Sequence, residues 1–391
     1  MPEIISTSKI DLSYILETTP GQTPASPAFQ RLPVTGGGPV GGKVTASSEA
    51  IRTDRQKPDL IVVDQSVTGD LPHEVSYDAY KPLIKSVMEG VTVTGTETKA
   101  DIAIDATART FTSALLANFA AIPVGSYVLI SGAALANNNG LFLVSAVAAL
   151  VLTLDAQDAG GLTTAAAGDN IKVSWGHTPN GTELPDSYTI KKEVALATKA
   201  FMYYRGCMMN TLSWSFGAGS LLNGSIGILG LTEDVTETMI TGQTTVAVVD
   251  GYSLLNSVES LAFSTTGLQA DVQIESVSFN YDNKISAAKV IGVLGAAALA
   301  AFDLSVTGDV TLYFEDIAAY TLFNNNTSFS LSFKLTDEDG NAIVAYLPNV
   351  KFTSLETPIQ GKDSFFMIDG SYEALLDPVL GFTVGMNLID K

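Results

Sequence analysis

The sequence predicts a mainly β fold with short helices, built to assemble with copies of itself. Three observations predict it. Short runs that alternate apolar and polar residues recur along the 391 residues, broken by Gly, Pro and Asn. Charged residues make up 16% of the chain against 46% hydrophobic, and mean hydropathy is +0.26. Soluble domains usually carry roughly 25% charge, so the surplus apolar surface needs a membrane or a large protein interface to cover it. Finally, Ser66-Val67-Thr68-Gly69-Asp70 returns letter for letter as Ser305-Val306-Thr307-Gly308-Asp309.

Taken in order, residues 1–60 read as an extended, mostly irregular arm with a first strand. Pro20, Pro24, Pro27, Pro33 and Pro39 interrupt it, and Gly36–Gly38 and Gly41-Gly42 loosen it. Alternation begins at Lys43, and Leu60–Asp64 is a second apolar run. Each pentapeptide leads into a strand and a short helix: Leu71–Tyr77 then Asp78–Met88, and Val310–Glu315 then Asp316–Phe323. Leu222–Gly230 is a weaker relative. These are read as duplicated hairpin-plus-helix units.

Between the copies, residues 91–176 differ in texture, being rich in Ala, Thr and Gly. Strands are expected at Tyr127–Ser131, Leu141–Val147, Leu150–Leu154 and Ile171–Trp175, with a hairpin turn at Asn137–Gly140. A small inserted β-barrel domain is expected here, splitting a core domain into residues 43–90 and 177–391. Later strands are expected at Tyr188–Val194, Phe201–Gly206, Met209–Phe216, Phe329–Leu335, Ile343–Leu347 and Phe365–Gly370.

A membrane is not the expected cover. No basic start followed by an apolar run opens the chain. The apolar stretch Phe111–Ala136 is broken by Asn118, Pro123 and Gly125, and Ile285–Phe302 carries Lys289 and is too short to span. A single cysteine, Cys207, leaves no disulfide framework. The 41 acidic residues against 21 basic give a formal charge of −20, which disfavours any grip on nucleic acid phosphates.

Catalysis is not expected, nor any cofactor. His73 and His177 lack the spacing of a zinc helix, and a structural role suits both, as burial suits the Cys207 thiol. Gly37–Lys43 imitates a phosphate loop, but Val44 replaces the Ser or Thr and a strand follows, so it reads as a flexible linker. Asp337–Asn341 imitates a calcium loop with its glycine misplaced and Pro348 where glutamate should stand; a hairpin turn suits it better. The carboxylates remain. Alternation puts Asp70, Glu74 and Asp78 on one strand face, and Asp309 and Glu315 on another. Such a face is either ordinary solvated surface or a lining along which an anionic polymer slides.

Glu17-Thr18-Thr19-Pro20-Gly21-Gln22-Thr23-Pro24 resembles the N-terminal signature of the major tail tube proteins of long-tailed (siphovirus-type) bacteriophages. Further similarities follow in order: Ser48–Arg55, Val67–Tyr77, Gly206–Gly230, the Asn280–Asn283 turn, Val306–Phe314, and Asp337–Asn341 leading to Tyr346–Lys351. The 91–176 segment resembles a small β-barrel that recurs inside such proteins.

This resemblance implies a tail-tube β-sandwich whose hairpins join into the inner β-barrel of a six-subunit ring, the rings stacking into a tube. It implies self-association, tape measure protein and viral DNA in the lumen, and tail terminator and distal tail proteins at the ends. It also implies assembly in the host bacterial cytoplasm and residence in the virion tail. Residues 1–60 are then candidates for an inter-ring latch, and Asp70, Glu74, Asp309 and Glu315 for lumen-facing acidic groups. An insert facing outward would obstruct a contractile sheath, so a sheathless tail is expected, and deleting the insert is expected to leave assembly intact. The alternative is a secreted or surface-layer adhesin of the same Thr-, Ala- and Gly-rich texture. A glycan hydrolase fits poorly, with only Trp175 and Trp214 to line a groove.

Overall fold

The computed structural model describes the chain except residues 1–5, 52, 55, 58, 115–118, 182–184, 197, 218–221, 248–260, 265–272, 315–316, 360 and 363, with backbone alone at 261–264. It is mainly β. The first part contains β1 (Ile10–Leu16), β2 (Ala28–Arg31), β3 (Val40–Ser47), β4 (Leu60–Glu74) and helix α1 (Tyr77–Met88). Next come β5 (Val93–Lys99), β6 (Ile102–Asp105), β7 (Thr110–Ser113), β8 (Tyr127–Ser131), β9 (Gly140–Ala148), β10 (Val151–Leu154) and β11 (Ile171–Pro179). The chain returns through β12 (Ser187–Val194), β13 (Ala200–Gly217), β14 (Asn223–Gly230), β15 (Thr232–Thr236) and β16 (Thr244–Val246). The last part holds β17 (Leu261–Ser264), β18 (Ile274–Asp282), β19 (Ser286–Ala288), β20 (Ala298–Ala300), β21 (Ser305–Tyr313), helix α2 (Ala318–Asn324), β22 (Phe329–Thr336), β23 (Ala342–Glu356), β24 (Met367–Ala374) and β25 (Gly385–Ile389).

The repeated pentapeptide marks a duplication of the whole ladder. β4 pairs with β14, β14 with β13, and β13 with β12. β21 pairs with β24, β24 with β23, and β23 with β22 in the same order. Even the irregularities match. β13 bulges at Met209/Thr211 and β23 at Phe352/Ser354, 143 positions on in both cases. The β12–β13 ladder shifts at Tyr188/Ile190 and the β22–β23 ladder at Phe329/Leu331. β3 on β4 corresponds to β18 on β21, β1 on β12 to β17 on β22, and β15 on β13 to β25 on β23. Leu222–Gly230 is therefore not a third copy of the pentapeptide unit. It is the strand on which the first copy lies, with Gly227 opposite Asp70.

One further pairing, β13 with β18, joins the two halves. Eight strands thus form one continuous layer in the order β3–β4–β14–β13–β18–β21–β24–β23. Its inner face presents Leu71, Ile226, Trp214, Phe279 and Val310, all buried. Against it lie α1 and a second layer. Phe333 of β22 stacks on Phe216 of β13 at 5.1 Å and meets Phe279 of β18 edge-on at 5.7 Å. Helix α1 forms because Tyr77, Tyr80, Leu83, Ile84 and Val87 recur at helical spacing and all sink into this core. It stops at Glu89, which turns left-handed with φ 57°.

Residues 91–176 enter between α1 and β12; the second half crosses the same gap directly, from Asn324 to Phe329. Their ladder runs β5–β11–β8–β9–β10–β7–β6 around a separate apolar cluster that includes Phe111, Phe119, Val128 and Trp175. No pairing among the described residues closes that ladder into a barrel. Nor does the segment hang free. β11 runs on past the segment to pair with β25 through His177–Pro179, and Tyr127 and Leu143 pack with Ala342, Val344, Tyr346, Phe382 and Ile389. Lys334 Nζ lies 2.5 Å from Asp158 Oδ1, the two side chains 11% and 5% exposed. Asn387 Oδ1 accepts from the Tyr127 backbone N–H at 3.0 Å.

The expected irregular arm is largely built into the fold. β1 pairs with β12 along seven residues and buries Leu12 and Tyr14 in the main core. The Gly37–Lys43 stretch is an edge strand rather than a linker: Thr35 and Gly38 donate backbone N–H groups to Pro72 and Asp70, and β3 continues the pairing. Gly37 sits at φ 66°, where a Cβ would lie 2.5 Å from the Asp70 carbonyl oxygen, so only glycine fits. What the proline count suggested as an irregular arm is a chain hugging a sheet.

The Glu17–Thr23 motif has a physical reason. Pro20 and Gly21 (φ 81°) occupy the central positions of a turn in which Gln22 N–H donates to Thr19 at 3.0 Å, the residue pattern of a type II turn. The turn aims Gly21 N–H at the buried Glu17 carboxylate (2.7 Å). Ser187 Oγ (2.7 Å), Thr189 Oγ1 (2.6 Å) and Gly206 N–H (3.1 Å) complete four donations.

Candidate functional site

The outer face of the eight-strand layer carries a polar band that crosses its strands. Strand alternation sends the apolar residues inward and leaves one register row as Pro72, Ser225, Ser213, Asn280, Thr307, Glu373 and Lys351. Asp70 stands beside this row, opposite Gly227, with Thr211 and Asp282 next in register. Glu74 lies two residues further on the same face, half-buried. Asp309 is exposed on the corresponding face of β21. The structure therefore sets Asp70, Glu74 and Asp309 on one surface without clustering them: four ladders separate β4 from β21, about 19 Å at the usual strand spacing. Glu315 lies outside the described residues.

Sequence reasoning missed Asp282, Glu356, Asp369 and Glu373, which share this face. Period-two spacing in Asp369-Gly370-Ser371-Tyr372-Glu373 was the available signal. Further along β4 Asp64 pairs with Lys289, while Asp70, Glu74, Asp282, Asp309, Glu356, Asp369 and Glu373 share the middle of the face with one ammonium, Lys351. Hydroxyls hold them in place: Ser371 donates to Asp309 Oδ1 at 2.7 Å, Asp309 N–H donates to Ser278 Oγ at 2.8 Å, and Thr311 donates to Asp369 Oδ1 at 2.9 Å. The surface is fixed and anionic, with an open depression of about 300 Å³ lined by Asn280, Thr307, Asp309, Ser371 and Glu373.

The other chemically suggestive residues are engaged in packing. His73 stacks on Tyr80 at 3.7 Å with Nδ1 2.7 Å from the Leu71 carbonyl, and burial pushes it down to about 4. His177 Nδ1 lies 3.0 Å from Asn387 Oδ1, and burial takes it likewise to about 4. Burial raises the Cys207 thiol. Among the described residues, no three His, Cys, Asp or Glu side chains are placed to hold a metal ion. No described helix is long and apolar enough to cross a membrane.

Glu89, off the polar face, has Oε1 buried without a partner, and burial raises its carboxyl to about 7. A raised folded pKa favours folding below the unfolded value near 4.5, and that advantage is lost as pH climbs through about 7. Glu89→Gln is therefore expected to melt higher than wild type at pH 8. The gain should be about 1–2 kcal/mol after allowance for its partial exposure, and it should vanish below pH 4.5. Parallel thermal melts across that range check it.

A protein-family model described as phage tail tube protein matches residues 7–373. No curated protein matches the chain.

Proposed function

Because the chain belongs to the phage tail tube protein family, we propose that its copies join edge to edge into rings of six wall units. The rings stack as the tail tube of a bacteriophage virion, the polar sheet face lining the channel. The observation that carries this reading is the seven-to-one excess of carboxylates in the middle of one face of a layer whose two end strands lack outer partners among the described residues. β3 pairs only with β4, and Ser354–Glu356 only with β24. Open edges of this kind aggregate unless closed, and a ring closes them.

The channel works passively. Double-stranded DNA carries dense negative charge, and a wall of fixed carboxylates offers its phosphates nowhere to bind. Screening confines the effect to about 8 Å at physiological salt, so the side chains on the wall matter and the net charge of the chain does not. Before DNA enters, the tape measure protein occupies the same channel; tail terminator and distal tail proteins close the ends. Assembly takes place in the host bacterial cytoplasm.

The 91–176 segment rests on the side of the second layer that faces away from the polar sheet. Ile343, Ala345 and Leu347 enter the main core while Ala342, Val344 and Tyr346 meet the insert. With the polar face inside, the insert is outside, which suits a tail without a sheath. The projecting β3–β4 hairpin, whose first strand lies within residues 1–60 and whose Leu60, Ile61 and Val63 are more than half exposed, is the latch between rings. Asp70→Lys, Glu74→Lys and Asp309→Lys virions should build tails of normal length and release DNA more slowly in a receptor-triggered ejection assay. Unchanged ejection in all three discards the lumen assignment.

A further inference from the structure

We propose that the seam inside the chain is the template for the seam between chains: β23 of one copy pairs with β3 of the next as β13 pairs with β18. Each chain then supplies two wall units, and a ring of six units closes with three chains. The proposal rests on the ring reading above and adds the register of its interface and its chain count.

The argument is one of register. Within the chain, Thr211 faces Asp282 and Ser213 faces Asn280 across the β13–β18 seam. Matching bulges carry Thr211 and Ser213 onto Ser354 and Glu356 of β23. On the other strand, Asn280 and Asp282 lie opposite Thr307 and Ser305. Val40 and Gly42 lie opposite Thr68 and Ser66, the same letters of the repeated pentapeptide. Equivalence therefore puts Ser354 against Gly42 and Glu356 against Val40 of a second copy.

Those are the segments left open. β24 covers one side of Ser354–Glu356, and no described strand covers the other. The corresponding side of β13 is the one that β18 occupies. On β3, no described strand covers the edge away from β4, and Val40 is 60% exposed. A chain with a socket at one end of its layer and the matching plug at the other associates head to tail, which closes into a ring when the rotation allows. The inner seam already joins two equivalent units in this way. Repeated around the six-unit ring proposed above, it takes three chains.

The test combines mass and cross-linking. Wild-type rings should weigh about 123 kDa by native mass spectrometry, three times the 41.0 kDa chain, and rings of six chains would overturn the count. In a Cys207→Ser background, tubes carrying Val40→Cys with Glu356→Cys should oxidise to a ladder ending at a closed trimer on a non-reducing gel. Gly42→Cys with Ser354→Cys is the second pair, should the first not assemble. Tubes in which neither pair cross-links overturn the seam while leaving the tube reading intact. Wild-type protein that forms no ring or tube at any concentration overturns both.

Discussion

Removing residues 91–176 is expected to abolish the soluble fold instead of merely trimming the exterior of the tube. The excision strips cover from Tyr346, Phe382 and Ile389 and cuts β11 immediately before His177–Pro179, the residues that pair with β25. It also leaves the Lys334 ammonium without its carboxylate. A gentler form of the same prediction isolates the ion pair. Lys334→Met alone strands the Asp158 carboxylate in a site where it is 5% exposed, at a cost of about 3–5 kcal/mol. Lys334→Met with Asp158→Leu removes both charges and should recover most of the loss. Soluble yield and melting temperature of the two variants, read side by side, decide the matter. Equal melting of Lys334→Met and wild type would show that the insert is not fastened there.

Glu17→Ala should be the most damaging single substitution in the N-terminal segment. It deprives two hydroxyls and the N–H groups of Gly21 and Gly206 of their shared acceptor, all in a region where Glu17 is 6% exposed. Unmet buried donors cost about 1–3 kcal/mol each, and bonds to a carboxylate are stronger than neutral ones. Relaxation lets some donors find other partners, so a total of about 3–5 kcal/mol is expected. Glu17→Gln keeps an acceptor oxygen but points a donor at donors, and should fall between. Urea unfolding of the three proteins ranks them, and an alanine variant as stable as wild type would refute the role.

Much of the fold was readable because period-two alternation is a local signal. Leu71 and Val75 against Asp70 and Glu74 announced β4 and its two faces. The helix expected at Asp78–Met88 forms at Tyr77–Met88. The duplication surfaced as one pentapeptide because only there did the letters survive. Elsewhere Met209 and Phe352 hold the same bulge position with nothing in common but apolar bulk. Ladder register, not composition, revealed that correspondence. The arm is hard to read because Pro and Gly usually break regular structure, whereas Gly37 and Gly38 let the chain entering β3 press against the backbone of β4. The fastening of the insert was invisible too. Asp158 and Lys334 stand far apart in sequence, and a lone lysine in a strand gives no hint of a distant carboxylate.

The insert springs from the first half of the chain yet settles on β22, β23 and β25 of the second. Neither half could be exchanged, lost or made separately without stranding the other, so an ancestral tandem copy has become irreversible. Every second unit of the wall would then bear a knob on the outside of the tail. The spacing of those knobs follows from covalent linkage, with no need for alternate subunits to recognise one another.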